Sequence, residues 1–94
     1  MKIVWTRLAL SDLDQAYNYI AASNPSAAVD TIERIEKAVG ALSLYPEMGR
    51  LGRVAGTREL VVTRTSFIVP YRVQGEQVEI LAVIHASRRW PDSL

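Results

Sequence analysis

Residues 48–94 hold seven arginines and no lysine, and four of these arginines fall in two short stretches. One is the loop Gly49-Arg50-Leu51-Gly52-Arg53; the other is the tail His85-Ala86-Ser87-Arg88-Arg89-Trp90-Pro91. A guanidinium is planar, always charged and forked, so it grips a phosphate or carboxylate through two parallel hydrogen bonds. The glycines of the loop either present Arg50 and Arg53 to a partner or only turn the chain. The tail holds the one histidine of the chain, His85. Placed just past a strand end, it is where binding and catalytic groups are common, although a lone histidine is also an ordinary packed residue. Trp90 beside Arg88 and Arg89 combines the residue types over-represented at interface hot spots. Its alternative role is to fold back and cap the core.

These groups need a scaffold. Three short segments rich in β-branched and aromatic residues, 58–63, 67–73 and 77–84, read as strands. Thr65-Ser66 and Gln74-Gly75-Glu76 are too short for crossovers, so the strands are antiparallel neighbours. Phe67, Val69, Tyr71 and Val73 alternate with Ile68, Pro70 and Arg72; Val78, Ile80, Ala82 and Ile84 alternate with Glu79, Leu81, Val83 and His85. The first set in each strand is expected to meet a covering layer, and the second, mixed set to be partly open. Pro70 is awkward in a ladder, because it has no N–H to donate.

The cover comes from the first half. Lys2 to Trp5 reads as a first strand. A helix over 8–23 follows, with Thr6 or Ser11 as its cap and Leu10, Leu13, Tyr17 and Ile20 as its buried stripe. Its far side is expected to carry Asp12, Gln15 and Asn18. Asn24-Pro25 opens a second helix over 25–42. Its stripe is Ala28, Ile32, Ile35, Val39 and Leu42, and its outer side carries the i,i+4 pairs Asp30–Arg34 and Glu33–Lys37. The two helices form an antiparallel hairpin. The expected fold class is therefore α+β: one domain over 1–94, a helical hairpin on a small, mostly antiparallel sheet, in the order β-α-α-β-β-β.

Composition narrows the function classes. The chain has 94 residues and no cysteine, which excludes disulfides and thiolate metal sites. Its longest apolar run is too short to span a bilayer, and its start lacks the apolar core of a signal peptide, so a cytoplasmic protein with no membrane contact is expected. The glycine-arginine loop has the wrong spacing for a phosphate-binding P-loop. A net charge of +1 gives little counterion release, which argues against DNA binding by the chain alone. The charge is uneven: residues 1–47 carry −2 and residues 48–94 carry +3.

Several stretches, taken in order, resemble the RelE/ParE superfamily of bacterial toxins, and the likeness is closer to the ParE-like branch. They are Val4-Trp5-Thr6, Asp12-Leu13, Tyr19-Ile20, Asn24-Pro25, Leu44-Tyr45-Pro46, Gly49-Arg50, Gly56-Thr57-Arg58-Glu59-Leu60, Pro70-Tyr71-Arg72-Val73 and the tail from His85 to Pro91. The resemblance implies the toxin of a type II toxin–antitoxin pair, neutralised by a cognate antitoxin through which any DNA contact is made. It implies no metal or organic cofactor. ParE-like members inhibit DNA gyrase, and for that reading no catalytic residue is expected. Its target-binding candidates are Arg50, Arg53, His85, Arg88, Arg89 and Trp90, and its antitoxin-binding candidates are Arg58, Arg72, Arg88 and Tyr17. RelE-like members are ribosome-dependent mRNA endoribonucleases, and that alternative would need a base, a cationic clamp and an acid. His85 with Glu59, and Arg64, Arg72 or Arg88 as clamps, are the residues available for it. The second of the four expected strands reads Leu60-Val61-Val62 in place of a basic cluster, and the tail lacks a tyrosine; the pattern of His85, Arg88 and Trp90 looks ParE-like.

Overall fold

The computed structural model describes residues 1–91. The elements run β1 (Lys2–Trp5), α1 (Arg7–Ala21), α2 (Pro25–Ala41), β2 (Arg50–Leu51), β3 (Arg58–Val61), β4 (Phe67–Gln74), β5 (Gln77–Ile80) and β6 (Ile84–His85). The sheet order is β1-β5-β4-β3-β2, and β6 also pairs with β4. Only β1 is parallel to its neighbour, with Ile3 opposite Val78 and Trp5 opposite Ile80. The α+β fold and the β-α-α-β-β-β order are as expected. The short β2 and β6 are additions, the first inside a stretch expected to be irregular.

Each helix begins where a side chain meets the unpaired N–H groups of the first turn. Thr6 accepts from the Ala9 N–H, and its hydroxyl donates to the Ile80 carbonyl at 2.7 Å. One residue thus starts α1 and ties it to β5. Asn24 caps α2 through the Ala27 N–H, with Pro25 in the first helical position. Of the two outer pairs expected on α2, Asp30–Arg34 forms at 2.9 Å; the Glu33–Lys37 pair is not among the ion pairs formed.

The α2 stripe packs as expected: Ala28, Ile35, Val39 and Leu42 are buried and Ile32 packs beside them. The α1 stripe is half as expected: Leu13 packs against the core and Ile20 is half-buried, but two positions move. Leu10 and Tyr17 are exposed, whereas Ala9 and Ala16 are buried with Leu13 against the core. Small alanines take these inward positions, and the larger residues are left outside. Asp12 consequently does not lie on the far side. Its carboxylate accepts from the Val83 N–H at 3.0 Å.

The sheet departs from simple alternation at one place. Ile80 pairs with Tyr71 but Ile84 pairs with Ile68, so four steps on one strand meet three on the other. The extra residue is a bulge, and it inverts the faces beyond it. His85, opposite Phe67, points to the helix side, and Ile84 points away, the reverse of the expected phase. Pro70 sits at this bulge. Its carbonyl accepts from the Leu81 N–H at 2.9 Å, so its missing N–H lies on the side where the β5 ladder is interrupted. One further expectation fails: Val73 is exposed at the strand end. The second face is open only in part, with Arg72 exposed and Glu79 half-buried while Ile68, Pro70 and Leu81 are buried.

Candidate functional site

Glu59 pairs with Arg50 and with Pro70 across the two neighbouring strands, which puts its side chain on the face away from the helices. It is only 3% exposed, and it is the one buried charged residue among the described residues. A buried carboxylate needs partners for its lone pairs, and both oxygens are filled. One accepts from Nε and a terminal nitrogen of Arg50 at 3.2 and 3.0 Å. The other accepts from the backbone N–H and the Nε of Arg53 at 2.8 and 3.2 Å. Burial pushes this carboxyl up; the Arg53 backbone N–H and the two guanidiniums outweigh burial and hold it below its ordinary value.

A group held lower in the folded state contributes stability above its unfolded value, about 4.3 for Glu, and loses it as pH falls through the folded value. Urea unfolding followed from about pH 6 down to about pH 3 is therefore expected to show a loss of stability over this window. Glu59→Gln should flatten that part of the curve; an unchanged slope would show that the carboxylate is not held as described.

The Arg53 guanidinium continues outward and lies over the Trp90 ring, 3.6 Å from its centroid. The loop and the tail, far apart in sequence, are thus brought together as part of one surface. From Trp90 the tail borders a groove of about 770 Å³ against α1, lined by Leu8, Asp12, Tyr19, Phe67, His85 and Arg88 among others. His85 meets the Phe67 ring edge-on at 5.4 Å, and its Nδ1 is 2.7 Å from the Ser87 hydroxyl. Arg88 sits 5.9 Å from the Tyr19 ring centroid, at the outer reach of a cation–π contact. The groove therefore has an apolar floor and a cationic rim.

The other nominated residues are placed elsewhere. Arg58 donates to the Gly49 and Glu47 carbonyls, and Arg72 pairs with Glu79 at 2.6 Å. Arg64, at φ 63, occupies the turn between β3 and β4. Tyr17 is exposed on α1. Glu59 and His85 project from opposite faces of the sheet, and Arg72 is five residues along β4 from Phe67, about 17 Å. The groove residues Leu8, Phe67 and Tyr19 are not among the site candidates read from the sequence, although Phe67 is expected on the covered face and Tyr19 falls in a family-like stretch. Tyr19 is 73% exposed. Its spacing of eleven from Leu8, three helical turns, is the signal that puts these two on one face of α1, with Asp12 and Gln15 between them.

Comparisons with known proteins agree with this architecture. The sequence model of the ParE toxin of type II toxin–antitoxin systems, parDE, matches residues 3–90. Y4kP of Sinorhizobium fredii, named as a candidate toxin, is 46% identical over 93 residues, which cover 99% of this chain and 96% of that protein. Toxin RelE2 of Caulobacter vibrioides is 39% identical over 87 residues, 93% of this chain and 97% of that one. A solved structure of the chromosomal ParDE toxin–antitoxin system from P. aeruginosa matches with a TM-score of 0.83 at 32% identity, covering 90% of this chain and 95% of that chain. With fold, length and sequence all in agreement, this chain belongs to the ParE family of toxins from type II toxin–antitoxin systems.

Proposed function

We propose that this toxin acts by binding, inhibiting DNA gyrase through the tail and the groove beside α1, and that its cognate antitoxin neutralises it by occupying the same region. The observation that carries this reading is the separation of Glu59 from His85. A single-histidine nuclease would set these groups about one substrate, yet they lie on opposite faces. Glu59 is moreover fixed as a carboxylate by two arginines, which leaves it a weak base. Of the antitoxin-binding candidates, Arg58 and Arg72 have intramolecular partners, whereas Arg88 lines the groove with Tyr19. An amphipathic antitoxin segment with acidic side chains fits that combination of apolar floor and cationic rim. Gyrase places the action in the cytoplasm, and no helix among the described residues is long and apolar enough to cross a membrane.

The likeness to a relative named RelE2 supports a second reading, a ribosome-dependent mRNA endoribonuclease. A supercoiling assay with purified gyrase, ATP and plasmid separates the two. The expected result is lost supercoiling or trapped double-strand breaks, reversed by excess antitoxin. Arg88→Ala combined with Arg89→Ala is expected to weaken inhibition by about tenfold or more while the fold is retained. Unaffected gyrase, together with mRNA cleavage on translating ribosomes that His85→Ala abolishes, would establish the second reading.

A further inference from the structure

Glu59 stands apart from the groove. It is a buried carboxylate on the face of the sheet away from His85, and binding by the groove makes no use of it. Its two oxygens are not equivalent in what they hold. The oxygen facing Arg50 binds a side chain that goes no further. The oxygen facing Arg53 accepts from both the backbone N–H and the Nε of the same residue. These two bonds fix the start of the side chain and the edge of its guanidinium, and so fix the plane of the group. That plane is what meets Trp90.

The tail has few other restraints. The Ala86 N–H donates to the Ser66 carbonyl at 2.7 Å and the Arg88 N–H to the His85 carbonyl at 2.9 Å. Among the described residues, no backbone hydrogen bond holds 89–91. The stack on Arg53 is therefore a close contact that fixes where the chain beyond Arg88 lies, and Trp90 is half-buried between it and the groove.

We infer that Glu59 is a positioning residue for the C-terminal segment: through Arg53 it clamps Trp90 and thereby sets how Arg88 and Arg89 are presented. Its consequence for gyrase rests on the function proposed above, but the order of the tail does not. A polar residue buried only to pin the loop after β2 would leave the tail indifferent to its loss. A clamp makes the tail depend on one arginine of the pair and not on the other.

The test compares Arg53→Ala with Arg50→Ala in the full-length protein. Both remove one cation from the same carboxylate, but only Arg53 stacks on Trp90. Backbone order parameters from ¹⁵N relaxation are read at residues 88–90, together with the Trp90 indole N–H resonance. In Arg53→Ala the tail values are expected to fall from about 0.85 to below about 0.6, and the indole signal to move to its exposed position. Arg50→Ala should leave both readouts in place. Glu59→Gln, which keeps the volume but loses the charge, should loosen the tail partway. If Arg53→Ala fails to fold, Arg53→Gln replaces it, because it keeps a polar stem without the cationic face. A tail that stays ordered without Arg53, or that loosens equally in both arginine variants, overturns the inference. Gyrase inhibition is measured beside these: failure of the unsubstituted protein to inhibit would refute the target and leave the tail result intact.

Discussion

Alanine at both Arg50 and Arg53 is expected to lower the unfolding free energy by about 3 kcal/mol at neutral pH, and by no more than about 5. The cost comes from what remains. Glu59 is 3% exposed, and without the two guanidiniums it becomes a buried carboxylate held only by the Arg53 backbone N–H. That surviving bond places the expectation at the lower end of the range for broken buried pairs. Each single substitution leaves one cation in place, and since both arginine side chains are half exposed, each should cost only about 1 kcal/mol. The pair should therefore be more than additive, as groups sharing one partner usually are. The pH dependence gives a sharper test. In the unsubstituted protein the carboxyl is held low, so its contribution to stability falls on acidification. Without the arginines, burial dominates and raises the carboxyl above its unfolded value. Stability from this group is then greatest below about pH 4.3 and is lost as pH rises through the higher folded value. A reversal in the sign of the pH slope, measured by urea unfolding, is the expected outcome; parallel slopes would mean that Glu59 is solvated and not held by the pair.

What the sequence revealed depended on contrast between neighbouring positions. The face of α2 was legible because Asp30, Glu33, Arg34 and Lys37 leave one orientation for Ile35, Val39 and Leu42. On α1 the large apolar residues Leu8, Leu10, Leu13, Tyr17 and Tyr19 surround the helix, so more than one stripe has the right period. The small residues Ala9 and Ala16 take the buried positions, and a stripe read from large side chains passes over them. The bulge was hidden for a related reason: Ile80, Leu81, Ala82, Val83 and Ile84 are all apolar, and a run without alternation carries no phase. Its effect falls on the candidate site, because the inverted phase is what turns His85 toward the helices. The tail and the glycine-arginine loop stood out by composition. Their meeting through Glu59, Arg53 and Trp90 did not, because it depends on the pairing of a two-residue strand and on a chain end returning to it.

The second large effect is expected at Tyr71, where the loop that delivers Arg50 is fastened to the core. The side chain is fully buried; its hydroxyl accepts from the Gly49 N–H at 2.9 Å and donates to the Pro46 carbonyl at 2.7 Å. Arg58 closes the same turn from the other side by donating to the Gly49 carbonyl at 2.7 Å. Tyr71→Phe removes two hydrogen bonds and leaves both loop groups without their partner, a cost of about 2–4 kcal/mol. Burial also raises the phenol above its ordinary value, partly offset by the Gly49 N–H and the Arg58 charge. The stability this group contributes is therefore present below about pH 10 and is lost as pH rises through the folded value, a loss that Tyr71→Phe should abolish. Gly49 is part of the same fastening. A methyl group there would lie 2.7 Å from the Tyr71 hydroxyl and ring carbon and 3.0 Å from the Glu59 carbonyl, so Gly49→Ala should cost about 1–3 kcal/mol through overpacking. Because both substitutions displace one loop, their combination should cost less than the sum. The loop also carries Arg50 to Glu59, one residue beyond Gly49. Tyr71→Phe should therefore weaken the hold on the carboxylate and shrink the acid-side loss of stability without touching a charged group. A full-sized acid response in Tyr71→Phe would show that β2 pairing alone places Arg50, and that the tyrosine fastens the loop for stability only.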